Sequence, residues 1–324
     1  MNWQASAAIE TLKKRAAILA AIRAFFARHD VLEVETNALS QATVTDLHLE
    51  SFTTEFTALA NSKDTAPILY LQTSPEYAMK RLLASGSGCI YQMSKAFRNE
   101  EPGRYHNPEF TMLEWYRIGF DHFALMAEIS TLVSNILQCK PAEKISYQQA
   151  FIQFIGVDPL TSSLAELKAQ VAVHQLNADW VLRENNKDTV LQYLFAELVE
   201  TQIGLEQPCF VFNFPASQAS LAKISPTDER VAERFELYFK GIELANGFHE
   251  LTDASEQLKR FQADNQLRVN NNLPEKIIDQ HLLSALQSGL PKCSGVALGI
   301  DRLIMLALDV DTIDDVIAFP VNRA

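Results

Sequence analysis

Residues 97–115 read F-R-N-E-E-P-G-R-Y-H-N-P-E-F-T-M-L-E-W. The stretch crowds Arg98, Glu100, Arg104, His106, Glu109 and Glu114 between two apolar runs, 90–97 and 110–116. If both runs are strands, residues two apart share a face. Arg98 and Glu100 then project from one face of the first strand, and Phe110, Glu114 and Tyr116 from one face of the second. Pro102-Gly103 and Asn107-Pro108 supply turn chemistry between them. The spacing predicts a hairpin whose open face carries an arginine, carboxylates, a histidine at the loop end and two aromatic rings. Such a set suits a polyphosphate nucleotide: an arginine for an oxyanion, a ring for a flat base, carboxylates for amines or magnesium. The plainer alternative is a salt-bridged strand face that meets water.

Two further stretches fit the same chemistry. Residues 234–254 read R-F-E-L-Y-F-K-G-I-E-L-A-N-G-F-H-E-L-T-D-A. Here Glu243, Glu250 and Asp253 interrupt an otherwise apolar run. A buried carboxylate is costly unless it is paired or bound to a cation, and magnesium takes one or two carboxylates plus phosphate oxygens. The alternative is a strand end whose acids point to water. Gly247 permits close backbone approach. Residues 294–306 read S-G-V-A-L-G-I-D-R-L-I-M-L. Gly295, Ala297 and Gly299 fall on one strand face, a strip against which a ligand can lie. Arg302 then emerges from the first turn of a helix. Taken alone, this is equally a small-residue strand packed under a helix.

The 324 residues are 48% hydrophobic and 21% charged, with a net charge of -12. That is an ordinary globular composition, long enough for a large core. No run approaches the roughly 18 apolar residues of a membrane span. The N-terminus lacks the order of a signal peptide. Instead Ile9, Leu12, Ala16, Leu19, Ile22 and Phe26 recur at helical spacing. Cys89, Cys139, Cys209 and Cys293 stand far apart, which speaks against a metal cluster or disulfide framework and for the cytoplasm. The acidic balance opposes a tight grip on nucleic acid and suits a basic partner or cationic substrate.

Periodicity predicts a helix over 8–29, a strand over 31–35, and paired strands over 49–59 and 68–72 around a turn at 61–67. Ser74-Pro75-Glu76 opens a helix that runs to about residue 84. Helices follow over 122–138, 146–156, 163–176 and 190–204. Strands are expected over 208–214 and 233–244, with the latter leading into 246–251. Helices over 254–271 and 279–290, a strand over 295–300 and a helix over 301–308 complete the chain. Successive strands without regular helix alternation give an α+β class with a central antiparallel sheet flanked by helices. We expect one domain over residues 1–324 with a helical insertion at about 141–205. The remaining histidines, His48, His122, His174 and His281, read as surface or turn residues. His249 faces away from Glu250 on a regular strand, with an outer supporting role left open.

The three stretches, in order, resemble the signature motifs of class II aminoacyl-tRNA synthetases, and specifically the lysyl-tRNA synthetase branch. F-F-A-R-H-D-V-L-E-V-E-T-N, residues 25–37, resembles the first motif of the class, and F-P-A-S-Q-A-S-L-A-K, residues 214–223, is also similar. The likeness spans nearly the whole chain. T-S-P-E-Y, G-R-Y-H-N-P-E-F and C-S-G-V-A-L-G are most similar to truncated paralogues of that branch, because a first motif starting at Phe25 leaves no room for an N-terminal OB-fold that reads the anticodon. The resemblance implies ATP and Mg2+, activation of (R)-β-lysine or lysine as an aminoacyl-adenylate, and transfer to a lysine ε-amine of elongation factor P. It implies a homodimer without stable tRNA binding. Two other outcomes stay open: a tRNA aminoacylator that lacks the anticodon domain, and an inactive synthetase-like regulatory module.

The resemblance also assigns residues. Arg98 and Arg302 are implied as catalytic. Asn99, Glu100, His106, Asn107, Phe110, Glu243, Leu244 and Gly299 join them around ATP, with Phe110 stacked on adenine and Arg302 over its other face. Ser74, Pro75, Glu76, Glu114, Tyr116, Asn246, Glu250 and Ala297 are implied to bind the amino acid. Glu243 and Glu250 are the implied magnesium ligands. Two positions depart from the pattern. Asn37 stands where the class usually has proline, at the dimer-forming motif. Ala297 stands where lysyl-tRNA synthetases usually have glycine, which narrows the pocket floor and is expected to favour β-lysine over α-lysine.

Overall fold

A computed structural model describes residues 3–57, 67–100 and 102–324. Residues 61–66 of the turn expected at 61–67, and the end of the strand expected over 49–59, lie outside the described residues. The chain forms two compact units, Met1–Gly119 with Thr252–Ala324, and Phe120–Leu251.

The first unit opens with α1 (Ile9–Arg28), β1 (Leu32–Glu33), β2 (Leu39–Ser40), β3 (Thr53–Glu55), β4 (Ile68–Leu71), α2 (Glu76–Ala84), β5 (Ile90–Phe97) and β6 (Glu109–Ile118). The expected hairpin forms: β5 and β6 pair antiparallel, with Phe97 opposite Glu109 and Ile90 opposite Tyr116. β2, β4 and β3 make a small antiparallel sheet.

The second unit comprises α3 (His122–Leu137), β7 (Glu143–Ser146), α4 (Tyr147–Phe154), α5 (Leu164–Val173), α6 (Asp179–Arg183), α7 (Lys187–Leu198), β8 (Cys209–Pro215), β9 (Val231–Phe239) and β10 (Ile242–His249). Ser146 and Ser163 start α4 and α5 with reciprocal caps to Gln149 and Glu166. Tyr147, Phe195 and Phe151 stack in the core beneath them, with the Tyr147 and Phe195 rings 5.2 Å apart. A single strand was expected over 233–244. Instead Lys240-Gly241, both at positive φ, fold the run into the β9–β10 hairpin. A two-residue turn of that geometry matches the strand twist.

The chain then returns to the first unit through α8 (Ala254–Asn270), α9 (Gln280–Gly289), β11 (Cys293–Gly299) and α10 (Ile300–Ala307). β11 pairs antiparallel with β6. In neither unit is the strand pairing purely antiparallel, since β1 runs parallel to β5 in the first and β7 parallel to β8 in the second. Both parallel pairs are joined by long connections through helices, as parallel pairing requires. The strands are therefore mixed, and helices flank them.

Alternation in β5 and β6 sorts the two faces of this sheet. Tyr91 and Trp115, directly opposite each other, point toward α1, where Phe26 stacks on Tyr91 at 4.3 Å and meets Trp115 edge-on at 5.3 Å. Gln92 and Glu114, one residue along, are paired on the other face.

Gly204 precedes β8 at φ +64, and a Cβ there would lie 2.6 Å from the Tyr238 carbonyl oxygen. Gly204→Ala is expected to destabilise by about 2–5 kcal/mol, the sum of a left-handed backbone penalty and overpacking against main chain. A lower midpoint in thermal or urea unfolding is the check. An unchanged midpoint would show that the backbone there relaxes freely.

Candidate functional site

The face of β5, β6 and β11 that turns away from α1 carries Phe110, Glu114, Tyr116, Ala297 and Gly299. The register sets Gln92, Glu114 and Ala297 side by side across the three strands, with Ile90, Tyr116 and Gly295 one step along. In the other direction Met112 faces Gly299, and Phe110 faces Ala96. The small residues of β11 thus place no bulky side chain beside Met112, Glu114 and Tyr116 on this face.

Glu114 is 2% exposed and centres a hydroxyl network. The Ser74 hydroxyl donates to its Oε2 at 2.6 Å and the Tyr116 hydroxyl to its Oε1 at 2.6 Å. Ser74 Oγ also accepts from the Glu76 amide at 3.0 Å, so one serine caps the start of α2 and orients the carboxylate. Pro75 is buried at the N-cap of α2. Glu76 reaches Lys80 Nζ at 2.7 Å, and Lys80 is 1% exposed. The expected amino-acid group of Ser74, Pro75, Glu76, Glu114 and Tyr116 is therefore brought together, with Ala297 opposite Glu114. Sequence reading missed two members, Lys80 and Gln92. Gln92 is buried, and its Oε1 has no hydrogen-bond partner among the described residues. Strand alternation from Glu114 through the hairpin could have found it.

The loop end of the hairpin carries the nucleotide candidates. The Arg98 amide continues the ladder by donating to the Pro108 carbonyl at 2.9 Å, and its guanidinium stands 5.2 Å from the Phe110 ring centroid. β5 ends at Phe97, so Arg98 and Glu100 do not share a strand face. The chain turns away there because the Asn99 amide donates to the Glu50 carbonyl at 2.8 Å. Gly103 and His106 close a tight turn through reciprocal backbone bonds of 3.0 and 3.1 Å. Arg302 crosses to this turn from α10, donating to the Tyr105 carbonyl at 3.2 Å and to His106 Nε2 at 2.7 Å. Burial, then the Arg302 and Arg98 charges, push the His106 pKa below the ordinary histidine value. The neutral ring is the form that can accept from Arg302.

Asn107 has a local task. Its Nδ2 donates to the Glu109 carbonyl at 2.5 Å, and its Oδ1 accepts from the Val321 amide at 2.9 Å. It ties the loop to the C-terminal segment, and a cleft of roughly 300 Å³ opens between the two. Beneath the sheet, Asp301 accepts from the Thr111 amide at 2.6 Å and pairs with Arg15 at 2.6 Å. That node fixes the start of α10, where Gly299 is the N-cap and Arg302 follows.

In the second unit, Glu243, Leu244, Asn246 and Glu250 lie on or just after β10. Glu243 and Glu250 are an odd number of residues apart, which on a regular strand places them on opposite faces. A bulge between Glu243 and Ala245 adds one residue and reverses this. Glu243 then sits opposite Tyr238 and Asn246 opposite Glu236, on the same face as Glu250. Leu244 is buried at the bulge, and Glu250 is 2% exposed. Across from them, Glu236 pairs with Arg234 at 2.5 Å and accepts from the Tyr238 hydroxyl. Asp253 plays a different part from the carboxylates beside it in sequence. In the first unit it caps α8, accepting from the Ser255 and Glu256 amides at 2.8 and 2.9 Å.

This chain belongs to the class II tRNA synthetases (D, K and N), whose family model matches residues 1–323. It is 60% identical over 323 residues to the elongation factor P–(R)-β-lysine ligase of Vibrio cholerae, covering 100% of this chain and 99% of that protein. It is 59% identical to the proteins of the same name from Vibrio parahaemolyticus, over 98% of both chains, and Proteus mirabilis, over 100% of this chain and 98% of the relative. The resemblance drawn from the motifs is borne out at the level of the family and of these relatives.

Proposed function

We propose that this protein activates (R)-β-lysine with ATP and joins it to a lysine side chain of elongation factor P. The observation that carries this reading is 59–60% identity over essentially the whole chain to relatives that bear that name. In the first step a carboxylate oxygen of the amino acid attacks the α-phosphorus and pyrophosphate leaves. In the second, the lysine ε-amine attacks the acyl carbon, the bond to AMP breaks, and an amide forms with loss of the amine proton. No protein nucleophile is required, so the residues act by positioning and by stabilising developing charge.

Arg98 takes the α-phosphate and carboxylate region. Phe110 stacks on adenine, with Arg302 over the other face, and His106 reaches the phosphate tail. Asn99, Glu100, Asn107, Leu244 and Gly299 complete the nucleotide contacts. Ser74, Pro75, Glu76, Glu114, Tyr116, Asn246 and Glu250 take the amino acid, and Gln92 adds an acceptor for one of its ammonium groups. Glu243 and Glu250 would hold Mg2+. Their common strand face supports a shared cation, since magnesium takes one or two carboxylates together with phosphate oxygens. Magnesium, when bound, offsets the negative charge of the phosphates. The same reading carries a cytoplasmic homodimer without stable tRNA binding, which sedimentation with and without tRNA checks. No helix among the described residues is long and apolar enough to cross a membrane.

The test is mass spectrometry of purified elongation factor P after incubation with the protein, ATP and each lysine isomer. We expect a β-lysyl mass increment on one lysine. Total tRNA runs in parallel, and label reaching tRNA instead would favour the aminoacylator. Ala297 stands beside Glu114 in the register. Ala297→Gly is expected to shift preference toward α-lysine by roughly 10-fold or more, because one methyl changes discrimination by about 1–3 kcal/mol. An unchanged isomer ratio would remove Ala297 as the determinant.

A further inference from the structure

His122 opens α3, and it is buried rather than exposed as its sequence position suggested. Neither ring nitrogen has a hydrogen-bond partner of regular geometry among the described residues. A buried polar group left in that state costs about 1–3 kcal/mol and calls for an explanation. α3 packs against β9 and β10. The register that sets Phe248 opposite Arg234 sets His249 opposite Glu233 on the reverse face of the hairpin from Glu250. His249 Nδ1 lies 2.5 Å from Glu233 Oε2. One ligand atom from each of His122, Glu233 and His249 lies within 4.8 Å of the others. Among the described residues the Asn213 Oδ1 is likewise buried with no partner of regular geometry, and the Asn213 side chain stands against the His122 ring as a weak hydrogen-bonding neighbour.

We propose that His122, Glu233 and His249 form a zinc site, separate from the carboxylates on the other face of β10. Two imidazoles and one carboxylate are a borderline-soft set that suits Zn2+ and disfavours the all-oxygen preference of Mg2+. Ligand atoms about 2.0–2.1 Å from a tetrahedral ion sit roughly 3.3 Å apart. Making the site needs a shift of His122 toward the other two and an opening of the His249–Glu233 hydrogen bond, now 2.5 Å long, to that spacing. Asn213 Oδ1 would then accept from the ring N–H that does not face the ion, the usual outer support of a ligating histidine. Lys223 Nζ stands 3.9 Å from Glu233 Oε2 on a side chain 42% exposed, so the divalent ion replaces a weak cation that can withdraw to solvent. The site staples the start of α3 to the back of the strands.

The experiment is zinc titration of the full-length protein after chelator treatment, in competition with a chromophoric chelator. Cobalt absorption serves as a reporter of four-coordinate geometry. We expect one ion per chain, cobalt bands in the visible, a higher thermal midpoint with zinc, and no competition from excess magnesium. His122→Ala and His249→Ala should each weaken binding by more than the roughly 10–100-fold that losing an outer support costs. His122→Asn, which keeps a polar side chain, covers the case in which the alanine variant misfolds, and circular dichroism of the metal-free proteins establishes that. Binding that survives both histidine substitutions overturns the site, as does the absence of saturable binding by the wild-type protein. Neither readout depends on the ligase reaction, so failure here leaves the proposed function standing.

Discussion

Arg98→Ala is expected to lower ATP–pyrophosphate exchange by at least about 10²–10³-fold, the loss that follows removal of one preorganised donor to developing charge. The side chain leaves β5 where the ladder ends, and its amide is pinned to Pro108 across the hairpin. Its guanidinium stands over Phe110, so the group proposed for phosphate and the ring proposed for adenine are held by adjacent rungs of one hairpin. The backbone bond survives the substitution, and the fold should too. Arg98→Lys separates charge from shape, because an ammonium keeps the charge but lacks the planar fork. We expect it to recover only part of the exchange. Equal rates for wild type and Arg98→Ala would remove Arg98 from the chemistry. Low rates with an altered circular dichroism spectrum would make it a structural residue.

The site was legible where its chemistry follows strand alternation. Phe110, Glu114 and Tyr116 share a face because their run is a regular strand, and Gly295, Ala297 and Gly299 line the adjoining strand for the same reason. Alternation failed where the backbone departs from period two. Glu100 lies past the end of β5, and no local signal marks that end, which is set by a backbone bond from Asn99 to the distant Glu50. The Glu243–Glu250 pairing depends on a bulge that the sequence does not announce. The β9–β10 turn was missed because Lys240 takes a positive φ that asparagine or aspartate would have signalled more clearly. The parallel edge pairs depend on crossovers through whole helices, and periodicity carries no information about those. Asn107 shows a subtler limit. Its residue type suits the ligand contact proposed for it, and no periodicity announces its second task, since both ends of its amide also hold main chain, one end in a segment far along the chain.

Glu114→Gln is expected to raise KM for the lysine substrate by about 10–150-fold, corresponding to the ~1.5–3 kcal/mol of a hydrogen bond to a charged group. The KM for ATP should change little. The carboxylate is 2% exposed and receives the Ser74 and Tyr116 hydroxyls, so it is held in place rather than left to search for its partner. A charge buried in this way favours a cationic side chain and disfavours a neutral isostere, which makes discrimination against norleucine a second readout. Gln92 sharpens the argument because it separates binding from stability. Its Oε1 is buried beside Glu114 and has no hydrogen-bond partner among the described residues. Gln92→Leu removes that unsatisfied acceptor, so the thermal midpoint should hold or rise while KM for the amino acid rises about 10-fold, as loss of one hydrogen bond to an ammonium implies. A structural role would move the two in the opposite sense, with the midpoint falling and KM unchanged. If Glu114→Gln leaves both KM and the norleucine discrimination at wild-type values, the carboxylate does not read the substrate amine and the amino-acid pocket must be sought on another face.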